Sequence, residues 1–225
     1  MNVKRQLALD LGHRPAFGRD DFLVAPGNAE AVAHIDRWPD WSGHALAIFG
    51  PPGCGKSHLA HVFALRAAAM VVEPGDVNVS SVVNLIEPNS SLVIENGESV
   101  PDPRALLHLF NAMKEKGGHI LLTSREPPSR WPVTLPDLKS RLAAVQAVRI
   151  DAPDDAMIEA VLVKLFADRQ LSVSPDVVAY MLRRMDRSFA AARRIVDLAD
   201  TESLAGQRPI SVPLIKSILS ASAER

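Results

Sequence analysis

Residues 50–57 read Gly-Pro-Pro-Gly-Cys-Gly-Lys-Ser, a complete G-x-x-x-x-G-K-S loop. An apolar run, Ala45-Leu-Ala-Ile-Phe49, leads into it, and a helix-like stretch from Ser57 to Ala69 leads out. The spacing carries meaning only in that strand–loop–helix setting, because backbone N–H groups must converge on an anion at a helix start. Glycines allow the convergence by removing the Cβ from the path. Lys56 is placed to reach the outer phosphates of a nucleotide, and the Ser57 hydroxyl to hold Mg²⁺. The expectation is a nucleoside di- or triphosphate, ADP or ATP, bound by Gly50, Pro51, Pro52, Gly53, Cys54, Gly55, Lys56, Ser57 and the adjoining His58. A loop of this kind sits between a parallel strand and the helix that crosses over from it. It therefore predicts an α/β fold.

The rest of the chain agrees. Apolar segments at Ala45–Phe49, Ser91–Glu95, His119–Ser124 and Ala147–Ile150 alternate with helix-like segments at Ser57–Ala69, Asp102–Lys116 and Leu135–Val145. Such alternation predicts a parallel sheet flanked by helices. A helix is expected at Asn28–Arg37, before Trp38-Pro39. Residues 70–90 are the least legible, with a short strand at Met70–Glu73 and a short helix at Asp76–Ile86. After Asp151 the pattern turns all-helical, with segments at Ala156–Arg169, Pro175–Met185, Ser188–Leu204 and Val212–Ala221. Ser174-Pro175 is a cap followed by proline at the first helical position. The expected organisation is a tail of residues 1–15, an α/β domain of 16–150 and a helical lid of 151–225.

Hydrophobic residues make up 47% of the 225 and aromatics only 5%, so the core must be built mainly from Ala, Val, Leu and Ile. A formal net charge of -1 gives no global pull toward nucleic acid or an anionic membrane. No apolar run is long enough to span a bilayer. The single cysteine, Cys54, excludes an internal disulfide and fits a reducing cytoplasm. A helix start and Lys56 nearby would lower its pKa; the alternative is a small loop filler.

Further chemistry is expected at the strand ends. Ser91-Leu-Val-Ile-Glu95-Asn96 resembles an acid-ended nucleotide strand in part. Glu95 would order Mg²⁺ together with Ser57. Asn96 stands where an acid would activate water, and a carboxamide cannot take that proton. Hydrolysis at this chain's own site should therefore be slow. Ser124, at the tip of the third clear strand, is placed to sense a γ-phosphate. In Leu135-Pro-Asp-Leu-Lys-Ser-Arg141-Leu142, a helix with Leu138 and Leu142 buried would project Arg141, either as an ordinary surface ion-pair partner or as a phosphate ligand. Gln6-Leu7-Ala-Leu9-Asp-Leu11 places leucines on alternate positions. That pattern suits an extended peptide in an apolar groove or an edge strand of this chain's own sheet. His58 and His61 make a poor metal pair. Trp38, Trp41 and Trp131 suit packing better than base stacking.

The phosphate loop, the Thr123-Ser124-Arg125-Glu-Pro-Pro box, the Leu135–Leu142 box and the helical tail together resemble the AAA+ module of the DnaA family. Within it they most resemble the Hda regulators, in their alphaproteobacterial form. The resemblance implies a P-loop AAA+ domain with a helical lid and a negative regulator of replication initiation. It implies clamp binding through Gln6, Leu7, Leu9 and Leu11, and an arginine finger at Arg141 that promotes hydrolysis of ATP held by DnaA. The partners it implies are the DNA polymerase III sliding clamp and the initiator, with no sequence-specific DNA contact; a homodimer stays open. Phe22 would line an adenine pocket, with core packing as the alternative. The lid places Ala190 where relatives carry a second sensor arginine, and Arg193 lies one turn on. The rival reading is a self-sufficient AAA+ ATPase such as a helicase loader.

Overall fold

The computed structural model describes residues 22–87 and 90–223. They divide after Asp151 into two compact units.

The first unit is a parallel sheet between two helical layers. Its strands are β1 (Ala45–Phe49), β2 (Met70–Val72), β3 (Ser91–Ile94), β4 (His119–Ser124) and β5 (Gln146–Arg149), in the order β2-β3-β4-β1-β5. Every pairing is parallel. The middle strands are apolar without a break because both faces are covered, and successive side chains feed opposite layers. Ala45, Ala47, Leu92, Ile94, Ile120 and Leu122 pack with Leu106, Phe110 and Met113 of α4 (Pro103–Glu115) and with Leu138 and Leu142 of α5 (Pro136–Ala144). Leu46, Ile48, Val93 and Leu121 pack with Val32 and Ile35 of α1 (Ala29–Asp36) and Leu59 and Phe63 of α2 (Lys56–Ala67).

Local chemistry sets the helix ends. The Asp102 carboxylate accepts from the N–H groups of Arg104 and Ala105, with Pro103 opening α4. At the other end Gly117 takes a left-handed φ of 70°, and the Gly118 N–H returns to the Met113 carbonyl at 2.8 Å. The expected glycine stop is therefore a Schellman turn. Between α2 and β3 the chain forms β2, a 3-10 turn at Pro74–Asp76 and the short α3 (Val82–Ile86). The expected eleven-residue helix over Asp76–Ile86 is cut to five residues. Asn78 holds the preceding turn through bonds to Ser80 and Ser81.

The second unit is all-helical. It comprises α6 (Asp155–Asp168), α7 (Pro175–Leu182), α8 (Phe189–Gly206) and α9 (Val212–Ala223). Ile158, Leu162, Phe166, Met181, Ile195 and Ile215 form its own core. Asp154 caps α6 through the Met157 N–H at 2.8 Å, and Ser188 caps α8 through Ala191 at 3.1 Å. Arg187 pairs with Asp155 through both guanidinium and carboxylate prongs, which holds the Asp155 carboxyl below its ordinary range. Among the described residues no helix is long and apolar enough to cross a membrane.

Candidate nucleotide site and the opposite edge of the sheet

The phosphate loop leaves the C-terminal end of β1, where the strand order switches between β4 and β5; α/β sheets open their binding crevice at such a point. Gly50 is required there by space, since a Cβ would sit 2.1 Å from the Ile150 carbonyl oxygen. Gly55, at φ 105°, is required by conformation and caps α2. The Gly50 N–H donates to the Ser124 carbonyl at 3.2 Å, which ties the loop to the tip of β4.

Lys56 is buried, and its ammonium donates to the carbonyls of Gly50 and Pro51 at 2.8 and 2.9 Å. Those bonds hold the charge inside the loop it curls around. Cys54 is 1% exposed with its sulfur 3.9 Å from Lys56 Nζ. Burial pushes the thiol pKa up and outweighs the opposing pull of Lys56. The loop-filler reading of Cys54 therefore holds, and the lowered-pKa reading does not.

Ser57 and Glu95 meet across the site, the hydroxyl donating to Glu95 Oε2 at 3.2 Å. The second carboxylate oxygen, Oε1, is shut off from solvent and accepts no hydrogen bond; His61 Nδ1 stands 3.9 Å away. A hydroxyl and an under-satisfied carboxylate facing one another suit a hard divalent cation. Among the described residues no group of three or more His, Cys, Asp or Glu could hold a metal alone. A cation here would take its other ligands from phosphate and water, as Mg²⁺ commonly does.

Asn96 follows with φ 48° and ψ 49°, a left-handed turn that asparagine tolerates better than most residues. Its N–H donates to Thr123 Oγ1 at 3.1 Å and its side chain is exposed. Ser124 is fully buried and its hydroxyl donates to the Glu126 carbonyl at 2.8 Å. At the β4 tip, then, Thr123 makes the side-chain contact to the acid strand, and Ser124 braces the following turn. Residue type alone did not separate these neighbours, because both are small hydroxyl residues at one strand end. Trp131 wedges against Gly97, where a Cβ would meet its ring at 2.6 Å, and its Nε1 donates to Glu126 O at 3.0 Å.

Phe22 belongs to the core over α2 and meets the His58 ring edge-on at 5.3 Å. Trp41 stacks on Phe63 at 5.2 Å and Trp38 meets the same ring edge-on, in line with packing roles. In the helical unit Ala190 is exposed in the first turn of α8 and Arg193 is half-buried one turn on. Gln6, Leu7, Leu9 and Leu11 lie outside the described residues.

Arg141 occupies the last turn of α5, ahead of β5. Leu138 and Leu142 are 0% and 1% exposed, worth about 1.5–3 kcal/mol each as buried anchors. They fix the helix with Arg141 partly exposed between them. α5 runs back to the N-terminal edge of the sheet, where β5 begins, whereas the phosphate loop leaves the C-terminal edge. The five residues of β1 separate those edges by about 16 Å. Among the described residues Arg141 makes no hydrogen bond or ion pair.

Residues 154–219 match the family model of the Hda lid domain. The helical unit is thus similar to the lid domain of Hda, and the chain shares the fold of solved DnaA structures. Its fold matches domain III of the Thermotoga maritima replication initiation protein DnaA with a TM-score of 0.76 at 16% identity, over 92% of this chain and 97% of that one. AMPPCP-bound DnaA from Aquifex aeolicus matches at 0.69 and 17% identity, over 86% of this chain and 68% of that one. A Thermotoga maritima RuvB variant matches at 0.70 and 14% identity, over 91% and 72%. The fold is therefore shared with both a DnaA and a RuvB, whereas the family model matched over the helical unit is that of the Hda lid.

Proposed function

We propose that this chain is a DnaA-family, nucleotide-binding regulator of replication initiation. It holds ADP or ATP in its own loop and supplies Arg141 to ATP bound by DnaA. Lys56 would meet the outer phosphates, and Ser57 with Glu95 would hold Mg²⁺. Asn96 cannot take a proton from water, so the chain's own turnover is slow. Gln6, Leu7, Leu9 and Leu11 would tether it to the DNA polymerase III sliding clamp. The finer alphaproteobacterial assignment belongs to the same proposal.

The observation that carries the reading is the separation between Arg141 and the chain's own phosphate loop. A guanidinium at the opposite end of the strands has no route to the triphosphate of its own subunit. Its charge is permanent and its fork matches phosphate oxygens. The AMPPCP in the Aquifex aeolicus neighbour supports a nucleotide in a loop of this fold.

The test is loss of labelled ATP from DnaA in the presence of DNA-loaded clamp. Wild-type chain should accelerate it, and Arg141→Ala should remove the acceleration. Equal rates for the two would overturn the reading. A self-sufficient ATPase, the rival that the Ser57–Glu95 pair favours, would instead turn over ATP rapidly without DnaA.

A further inference from the structure

The two oxygens of Glu95 have different surroundings. Oε2 accepts from the Ser57 hydroxyl at 3.2 Å. Oε1 is shut off from solvent and accepts no hydrogen bond. An oxygen left so is costly, because neither water nor a donor offsets its lost hydration. His61 stands against it. His61 lies one turn beyond Ser57 on α2, where positions four apart share a face and side chains lean back toward the helix start. Its Nδ1 is 2.7 Å from the Ser57 carbonyl oxygen and 3.9 Å from Glu95 Oε1. A carbonyl oxygen only accepts, so the shorter contact places a proton on Nδ1. The donor atom thus sits between the first turn of α2 and the residue that follows β3. A closing of about 1 Å would let Nδ1–H be shared between the Ser57 carbonyl and Oε1. The Glu95 side chain is 15% exposed and that of His61 39%, so the imidazole is the wetter member of the pair. One helical turn therefore meets the acid at both oxygens, Ser57 at Oε2 and His61 at Oε1.

We infer that His61 is a positioning residue for Glu95: its Nδ1–H serves Oε1 and keeps Oε2 turned toward the Ser57 hydroxyl and the divalent cation that this pair would hold. The inference rests on the reading that Ser57 and Glu95 hold Mg²⁺ beside a nucleotide, and deepens it by naming the side chain that orients the acid. The physical reason is entropic as well as electrostatic. A carboxylate steadied at one oxygen has less rotamer freedom left to lose when the other oxygen is engaged. His61 acts through Glu95 and has no bond to the cation in this scheme.

The test uses the full chain, with Mn²⁺ as a paramagnetic probe of the Mg²⁺ site, read by electron spin resonance with ADP present at one fixed pH. Glu95→Gln reports the site itself and should weaken Mn²⁺ binding. His61→Ala should weaken it by about 10–100-fold, the usual range for an outer-shell partner. His61→Asn keeps an N–H near the position of Nδ1 and should recover most of that loss. His61→Gln carries its amide out to the position of Nε2 and should recover little. ADP affinity in EDTA should stay within about twofold for all three His61 variants, because the residue acts on the acid and not on the nucleotide. If His61→Ala binds Mn²⁺ like wild type while Glu95→Gln does not, the positioning role fails and the metal reading survives. Mn²⁺ binding that ignores Glu95→Gln would overturn both. A loss in His61→Ala that neither amide restores, or that glutamine restores better than asparagine, would overturn the Nδ1 donor. An equal loss of ADP affinity in EDTA would make His61 a support of the loop instead, and would overturn the inference.

Discussion

The two edges of the sheet hold their cations in opposite ways. At the C-terminal edge Lys56 is buried and donates to the carbonyls of Gly50 and Pro51, inside a loop tied to Ser124. At the N-terminal edge Arg141, in the last turn of α5, makes no hydrogen bond or ion pair among the described residues. A buried charge must be satisfied where it stands, whereas a half-exposed one is sustained by water until a partner replaces it. The first edge therefore holds its cation within its own backbone, and the second leaves its cation partly to water.

The largest effect expected from breaking that contrast is on the second edge. Arg141→Ala should reduce the acceleration of ATP loss from DnaA by about 10³–10⁵. ADP affinity of the chain itself, measured with a fluorescent analogue, should stay within about twofold, since about 16 Å of strand intervenes. A marked drop in that affinity would mean the two edges are not independent.

Asn96→Asp asks whether the first edge lacks only its base. Aspartate tolerates the same left-handed backbone. ATP turnover by the chain alone should rise by about 10²–10⁴, the usual range for a positioned general base. No rise would place the deficit elsewhere, with the lid arginine the next suspect. Lys56→Ala mirrors the Arg141 experiment. Nucleotide affinity should fall by about 10–100-fold, in keeping with loss of charge-assisted hydrogen bonds, as read by calorimetry.

Smaller effects concern the scaffold behind the first edge. Gly97→Ala drives a methyl into the Trp131 ring and should cost about 1–3 kcal/mol in a denaturant titration. An unchanged midpoint would show that the Trp131 wedge yields. Cys54 should alkylate slowly in the native chain near neutral pH and quickly once unfolded, because burial raises its pKa and blocks access. Rapid native labelling would mean the loop opens often.

Much of this fold was legible because the signals were local. β1 and β4 fall on the residues their apolar runs predict, Ala45–Phe49 and His119–Ser124. β5 is shifted by one residue, to Gln146–Arg149, with the Ile150 N–H still donating to Phe49 O at 2.8 Å just past its end. Residues 70–90 were poorly legible because β2 is an edge strand with Met70 and Val71 exposed. A half-wet, three-residue strand leaves no periodicity to read.

The sequence by itself determined the phosphate loop, the parallel α/β layer, the helical lid and the residue types at each strand tip. Those follow from backbone conformation, capping and periodicity, which act over a few neighbouring residues. Only the tertiary structure decided that Thr123 rather than Ser124 meets Asn96, that burial wins over Lys56 at Cys54, and that Arg141 stands at the far edge of the sheet from its own loop. Those depend on which strands pair and how helices cross them. Asn96 and Thr123, 27 positions apart, are brought together by strand pairing, and no local pattern encodes that distance.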